Sequence, residues 1–333
     1  MVKNKKVGKY NYSPDVKTRD KIDKGFSKGW GFHFPSNEDY WLDCHTHYGR
    51  QFTPKAYYET YETFEKFFAN LDAFRLDSII TIINNPEMIP VCKAIASHSP
   101  NFNWLYWMHY EKPDHKIMEE AIKQGAKGLK LHNNAILVNK DAKPDVWLSK
   151  KWDKVFKVVE KAKLPVLWHI TQRMSVSPYH GGNEFKTLAN SNQSVLAATL
   201  EVVKKYPKIP FIGAHQIYLG LEQLEKLFKK YKNLYIDTSV GFFLRWADTL
   251  NEPDKEVYRD FFTKYSDRIL FGSDCTFVGK IDEYLTQSFL AHARFILNLN
   301  LTDDVLQKVA HKNAEKLFKI EPLTWKRRGN TRP

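Results

Sequence analysis

Cysteine is scarce in this chain. Cys44, Cys92 and Cys275 are the only three in 333 residues. An odd, sparse set makes no disulfide framework, so a reducing, cytoplasmic setting is expected. Long apolar runs are missing too. The first residues, Met1 to Lys6, are basic but lack the apolar stretch of a signal peptide. No run approaches the roughly 20 apolar residues that a membrane-spanning helix needs. Two glycine signatures are also absent. No Gly-x-Gly-x-x-Gly opens a strand-helix unit and no Gly-x-x-x-x-Gly-Lys-Ser/Thr occurs, which argues against dinucleotide-binding and P-loop chemistry. There is no short repeat, no low-complexity tract and no internal linker, so a single principal domain is the economical reading.

What is present is a large potential core, with 43% hydrophobic residues that include 9 Trp, 17 Tyr and 22 Phe. The formal net charge is +13. Its lysines are scattered over helical segments rather than gathered in one run, so a solvated surface is expected and a nucleic-acid partner is not. A positive field of this kind can still steer a small anionic substrate.

From residue 41 short β-prone runs alternate with longer helical patterns. The expected strands are Trp41–His45, Ser78–Ile83, Trp104–Met108, Gly128–His132, Val166–Ile170, Phe211–His215, Leu234–Thr238 and Ile269–Ser273. Helical patterns fall around 57–74, 86–97, 114–124, 149–162, 194–205, 221–231, 254–264 and 283–298, and a last one covers 302–318 with Thr302 as N-cap. Such alternation implies parallel strands joined by helical crossovers. Eight units point to a closed (β/α)8 TIM barrel over 41–320. Before it lies an N-terminal extension, 1–40, whose Trp30, Phe32 and Phe34 are expected to pack on the barrel. After it comes a basic tail, 321–333. Two connections that follow strands, 133–148 and 171–193, are long, and barrels build their active sites from such loops.

The polar residues at the strand ends carry the chemistry. His45 and His47 stand two apart, and in a strand such residues share a face, so two imidazoles can reach one metal ion. Lys130 and His132 close the fourth strand, His169 the fifth, His215 the sixth and Asp274 the eighth. Each has a plain alternative: a histidine hydrogen-bonded in the core, an Asx turn at Asp274, an ion-pair partner at Lys130. In a closed barrel all seven converge on one mouth, and the plain readings would have to hold together. Neutral imidazoles with one carboxylate suit a divalent cation, zinc ahead of iron, manganese or nickel.

The ordered set resembles the amidohydrolase superfamily, in its amidohydrolase-related (amidohydrolase 2) branch of hydrolases, lactonases and non-oxidative decarboxylases. The pieces that carry the resemblance are Asp43-Cys44-His45-Thr46-His47, Gly128-Leu129-Lys130-Leu131-His132, Val166-Leu167-Trp168-His169, Gly213-Ala214-His215, Gly272-Ser273-Asp274 and the closing Asn313-Ala314-Glu315-Lys316-Leu317-Phe318. The resemblance implies that His45, His47, His169 and Asp274 bind the metal. Asp274 and His215 then act in catalysis, and Lys130 and His215 are the positions for a bridging group or second metal. It also implies a hydroxide generated on one zinc or two, attacking the amide, ester or lactone of a small substrate; the positive net charge slightly favours an acidic one. The alternative is a lyase: decarboxylation of an aromatic or enol carboxylate on the same residues. His132, Arg173, His180 and Arg245 are candidates for substrate binding. Cys44, alternating with the two histidines, is expected to face away from them. The expected partner is a small molecule, with no membrane and no nucleic acid, and assembly into a homo-oligomer is open.

Overall fold

The structure, a computed structural model, describes residues 40–48, 76–172, 188–239, 252–277, 289 and 292–322. Its strands are β1 (Trp41–Tyr48), β2 (Leu76–Ile83), β3 (Phe102–Trp107), β4 (Leu129–His132), β5 (Val166–His169), β6 (Phe211–Gly213), β7 (Leu234–Asp237), β8 (Ile269–Leu270) and β9 (Cys275–Phe277). Every neighbouring pair is parallel, in the order β8-β7-β6-β5-β4-β3-β2-β1-β9. β8 and β9 are two halves of one eighth stave: the first pairs with β7 and the second with β1. Between them the Cys44 amide donates to the Phe271 carbonyl at 3.0 Å and the Asp274 amide to the His45 carbonyl at 2.8 Å. Eight staves thus form a nearly closed barrel, as the alternation of elements implied.

The crossovers are α1 (Ile89–His98), α2 (His115–Lys123), α3 (Asn134–Val138), α4 (Lys150–Ala162), α5 (Asn192–Lys205), α6 (Leu221–Lys230) and α7 (Glu252–Lys264). α6 follows its sequence period, burying Leu221, Leu224 and Phe228 while its Glu and Lys residues stay outside. The Asp114 carboxylate caps α2 by accepting from the amides of Lys116 and Ile117. α3 was not anticipated; it is one short turn of helix inside the 133–148 connection. The expected helix at 57–74, the aromatic residues Trp30, Phe32 and Phe34, half of 283–298 and most of 321–333 lie outside the described residues. The closing helix runs as α8 (Asp303–Gln307), a π-helical turn over Lys308–Lys312 and α9 (Asn313–Phe318). The Thr302 side chain makes no cap bond there.

Alternation along the staves divides the core in two. Ile79, Trp104, Leu129, Val166, Trp168, Phe211 and Ile236 face the helices. Leu42, Ile80, Leu105, Leu167, Ile212 and Leu270 fill the barrel, and Ala314, Leu317, Phe318 and Ile320 pack against them. The Asn313 amide group anchors α9 by donating to the carbonyls of Ser266 at 2.6 Å and Ile269 at 2.8 Å. This gives the Asn-Ala-x-x-Leu-Phe stretch a mechanical meaning.

β1 departs from plain alternation. Its register on β2 steps from Asp43↔Ile79 to Thr46↔Thr81, so three residues of β1 are spanned where β2 spends two. The extra residue is a β-bulge, which re-aims side chains. Cys44 therefore joins Leu42 in the barrel interior, and His45 also turns inward. The expectation that Cys44 faces away is corrected: it lies under the site, fully buried.

Candidate metal centre

β6 ends two residues earlier than expected, at Gly213. The chain then makes a left-handed turn, with φ of 57° at His215, 51° at Gln216, 58° at Ile217 and 52° at Tyr218. Non-glycine residues resist this region by roughly 1–2 kcal/mol each, so the turn must be held by its surroundings. The Gln216 amide group donates to the carbonyls of Asp237 at 2.6 Å and Ser239 at 3.2 Å, and the Thr171 hydroxyl donates to the Ile217 carbonyl. Gly213 allows it: a Cβ there would collide with the Ile217 side chain. The turn delivers His215 to the barrel mouth. The eighth stave breaks similarly, with φ of 58° at Asp274. Asp43 holds that break, accepting from the Ser273 amide at 3.0 Å and from the Ser273 hydroxyl.

The ligating atoms of His45, His215 and Asp274 lie within 4.8 Å of one another. The Asp274 Oδ1 atom is 3.2 Å from His45 Nε2 and 3.0 Å from His47 Nε2. His215 Nε2 is 3.0 Å from His169 Nδ1, and the His169 ring stacks on His132 with centroids 4.0 Å apart. Lys130 Nζ stands 3.1 Å from His45 Nε2 in a fully enclosed position. The structure therefore gathers His45, His47, Lys130, His132, His169, His215 and Asp274, with His45, His215 and Asp274 at the centre. Arg173, His180 and Arg245 fall outside the described residues.

Asp237, the last residue of β7, is the hub. Its Oδ2 lies 2.7 Å from His45 Nδ1, and its Oδ1 accepts from the amides of His215 at 2.8 Å and Ser239 at 3.0 Å. A strand-end carboxylate was the signal available, and nothing in the sequence says which histidines it meets.

The electrostatics favour metal-ready protonation states. Burial lowers His45, and the Lys130 charge adds to this against Asp274 and Asp237. Burial takes His215 down to about 3, and holds His132 and His169 well below the usual imidazole range. Lys130 falls to about 8 by burial, against the pull of Asp274 and Asp237. For Asp274 burial acts upward, but His45, His215 and His47 outweigh it and keep the carboxyl well below its usual range. Neutral imidazoles beside an ionised carboxylate are what a divalent cation requires. With its Nδ1–H committed to Asp237, His45 turns a bare Nε2 lone pair toward the Asp274 oxygen 3.2 Å away. Lys130 Nζ, 3.1 Å from the same Nε2, supplies positive charge there, and a divalent cation would meet the same two acceptors. His169 Nε2, buried with no hydrogen-bond partner, is a further free donor atom. The residues present fit a divalent metal.

The amidohydrolase family model, Amidohydro_2, matches residues 106–320, more than half of the 333-residue chain. The chain belongs to the amidohydrolase family. The match begins inside β3, so it contains Lys130, His132, His169, His215 and Asp274, while His45 and His47 join the site by geometry. Among solved structures, the chain is similar to a 5-carboxyvanillate decarboxylase from Sphingomonas paucimobilis, at 12% identity and TM-score 0.55 over 85% of this chain and 99% of that one. It is also similar to a probable 2-pyrone-4,6-dicarboxylic acid hydrolase from Acinetobacter baumannii, at 14% identity and TM-score 0.54 over 84% and 100%. An L-hydantoinase from Arthrobacter aurescens gives 12% identity and TM-score 0.53 over 85% and 71%. Identities this low speak for the shared barrel. Comparison with curated proteins gives no match. Among the described residues of this amidohydrolase-family chain, no helix is long and apolar enough to cross a membrane.

Proposed function

We propose that this family member is a metal-dependent hydrolase of a small, carboxylate-bearing amide, ester or lactone. The observation that carries the reading is the convergence of His45, His215 and Asp274 within 4.8 Å. These residues would hold the ion, with His47 beside Asp274 and His169 beside His215 extending the donor set. When bound, a divalent ion such as zinc polarises a carbonyl and makes water a nucleophile near neutral pH. Asp274, kept ionised, takes the proton of the attacking water and delivers it to the leaving group. His132 Nδ1 accepts from the Asn134 amide at 2.9 Å, so the neutral ring carries its proton on Nε2 and offers a donor to substrate. Lys130 adds a positive charge that favours acidic substrates.

A second reading, non-oxidative decarboxylation, is favoured by the flat His132–His169 stack with Trp107 alongside, its centroid 5.9 Å from His132. Such a surface suits an aromatic carboxylate, and one structural neighbour is a decarboxylase of that kind. On that reading His215 or Asp274 protonates the carbon that loses CO2.

Elemental analysis of the purified chain, with and without bicarbonate, tests the metal. One zinc per chain supports a mononuclear site, and two, raised by bicarbonate, support a carboxylated Lys130 bridge. No metal after reconstitution would refute the reading. Parallel screens for carbonyl hydrolysis and for CO2 release from aromatic carboxylates separate the two activities.

A further inference from the structure

We infer that Asp237 and Ser239 are a shared pair of positioning residues, which lock His45 and His215 into the same tautomer, protonated on Nδ1 and proton-free on Nε2. The inference rests on proton accounting. Asp237 Oδ1 accepts from the His215 amide at 2.8 Å, the Ser239 amide at 3.0 Å and the Ser239 hydroxyl at 2.6 Å. A hydroxyl has one proton to give, and Ser239 spends it there. Its oxygen can then only accept from the imidazoles it touches, His215 Nδ1 at 2.9 Å and His45 Nδ1 at 3.1 Å. His45 Nδ1–H has its stronger acceptor in Asp237 Oδ2 at 2.7 Å. Both imidazoles are thus donors on Nδ1 and bare on Nε2.

The relay continues one residue further. His215 Nε2, lacking a proton, accepts from His169 Nδ1 at 3.0 Å, which leaves His169 Nε2 bare, the buried atom without a partner. One carboxylate and one hydroxyl on β7 and its extension therefore set the protonation pattern of three histidines from β1, β5 and the turn after β6. Asp237 and Ser239 are both fully enclosed, so water does not compete for these bonds. Gln216 ties the same two residues to the left-handed turn through their carbonyls. In a metal site, partners of this kind orient each ligand and typically govern about 10- to 100-fold in affinity.

The tautomer part stands without metal; the affinity part rests on the proposed metal reading. The test uses the full chain, with 15N-labelled histidine, stripped of metal. Long-range proton–nitrogen correlations, assigned through single His→Gln variants, report which ring nitrogen carries the proton. Wild type is expected to show the Nδ1–H form at His45 and His215. Ser239→Ala should change the His215 pattern and weaken zinc binding about 10- to 100-fold, while Ser239→Thr, which keeps the hydroxyl, should restore both. An Nε2–H form at His215 in wild type would overturn the inference. So would a folded Ser239→Ala protein with unchanged correlations. If the wild-type chain binds no zinc, the metal reading falls, and the tautomer pattern still decides this inference by itself.

Discussion

Gly272→Ala is the sharpest steric probe of the centre. Gly272 lies between Phe271 and the Ser273–Asp274 break, and its backbone is outside the left-handed region, so alanine brings no conformational penalty there. The new methyl would lie 3.0 Å from His45 Cβ, 3.3 Å from Asp237 Cβ and 3.4 Å from Asp237 Cγ. Carbon atoms settle at about 3.5–4.0 Å, so His45 must retreat by about 0.5 Å or more, and Asp237 by less. These are the two partners of the 2.7 Å hydrogen bond that fixes the His45 ring. Both are enclosed by the barrel, so they have little room to yield. Overpacking of this kind costs about 1–3 kcal/mol. If about 2 kcal/mol falls on the bound geometry, zinc affinity drops roughly 30-fold, since 1.4 kcal/mol is about tenfold. Urea unfolding of the metal-free protein and a zinc titration against a competing chelator divide the cost between fold and site. A variant with wild-type stability and wild-type zinc affinity would refute the packing described around His45.

Further outcomes follow from other parts of the structure. Asp274→Asn and His45→Ala should each abolish stoichiometric metal binding, whereas His169→Ala, whose contact to the cluster runs through His215 at 3.0 Å, decides by metal analysis whether His169 is a ligand. Asn133→Ala should lower the urea midpoint by an equivalent of about 2–4 kcal/mol. Its Oδ1 is the acceptor for Trp168 Nε1 at 2.9 Å, and its amide group donates to the Ile170 carbonyl at 2.9 Å and Thr199 Oγ1 at 3.2 Å. Glu225, whose carboxyl is taken down to about 2 chiefly by the Lys264 hydrogen bond with help from Tyr265 and Lys229, should stabilise the fold by about 0.5–1 kcal/mol at neutral pH. A depressed carboxyl pKa gives stability that is present above the unfolded value near 4.3 and is lost as pH falls toward 2. The gap between wild type and Glu225→Gln in thermal melts should therefore close over that window.

The barrel is legible in the sequence because buried parallel strands are near-continuous apolar runs, and their polar last residues stand out against them. His45, Lys130, His132, His169, His215 and Asp274 could be picked out for that reason. The breaks in regularity could not. A bulge at Cys44–His45 depends on how β1 registers against β2, which no local pattern encodes. The left-handed turn after Gly213 is built from Ala-His-Gln-Ile-Tyr, residues with no turn signature, and is held in place by Gln216 and Thr171 from outside the strand. The same applies to the eighth stave, whose expected course through Ser273 is interrupted because Asp43, on a neighbouring strand, captures the Ser273 amide. Asp237 and Ser239 owe their importance to partners 22 to 194 positions away in the chain, and distance of that kind is set by topology alone.

The covering of the barrel floor by Leu317, Phe318 and Ile320 bears on how the protein is born. Those residues leave the ribosome after all eight staves, so a nascent chain can pair its strands and still expose Leu42, Ile80, Leu105, Leu167, Ile212 and Leu270 from below. Until α9 arrives, the intermediate has an open apolar floor of the kind that chaperones recognise and that aggregates when they are absent. Emergence of α9, rather than pairing of the last strand, is the moment at which the apolar floor of this barrel is covered.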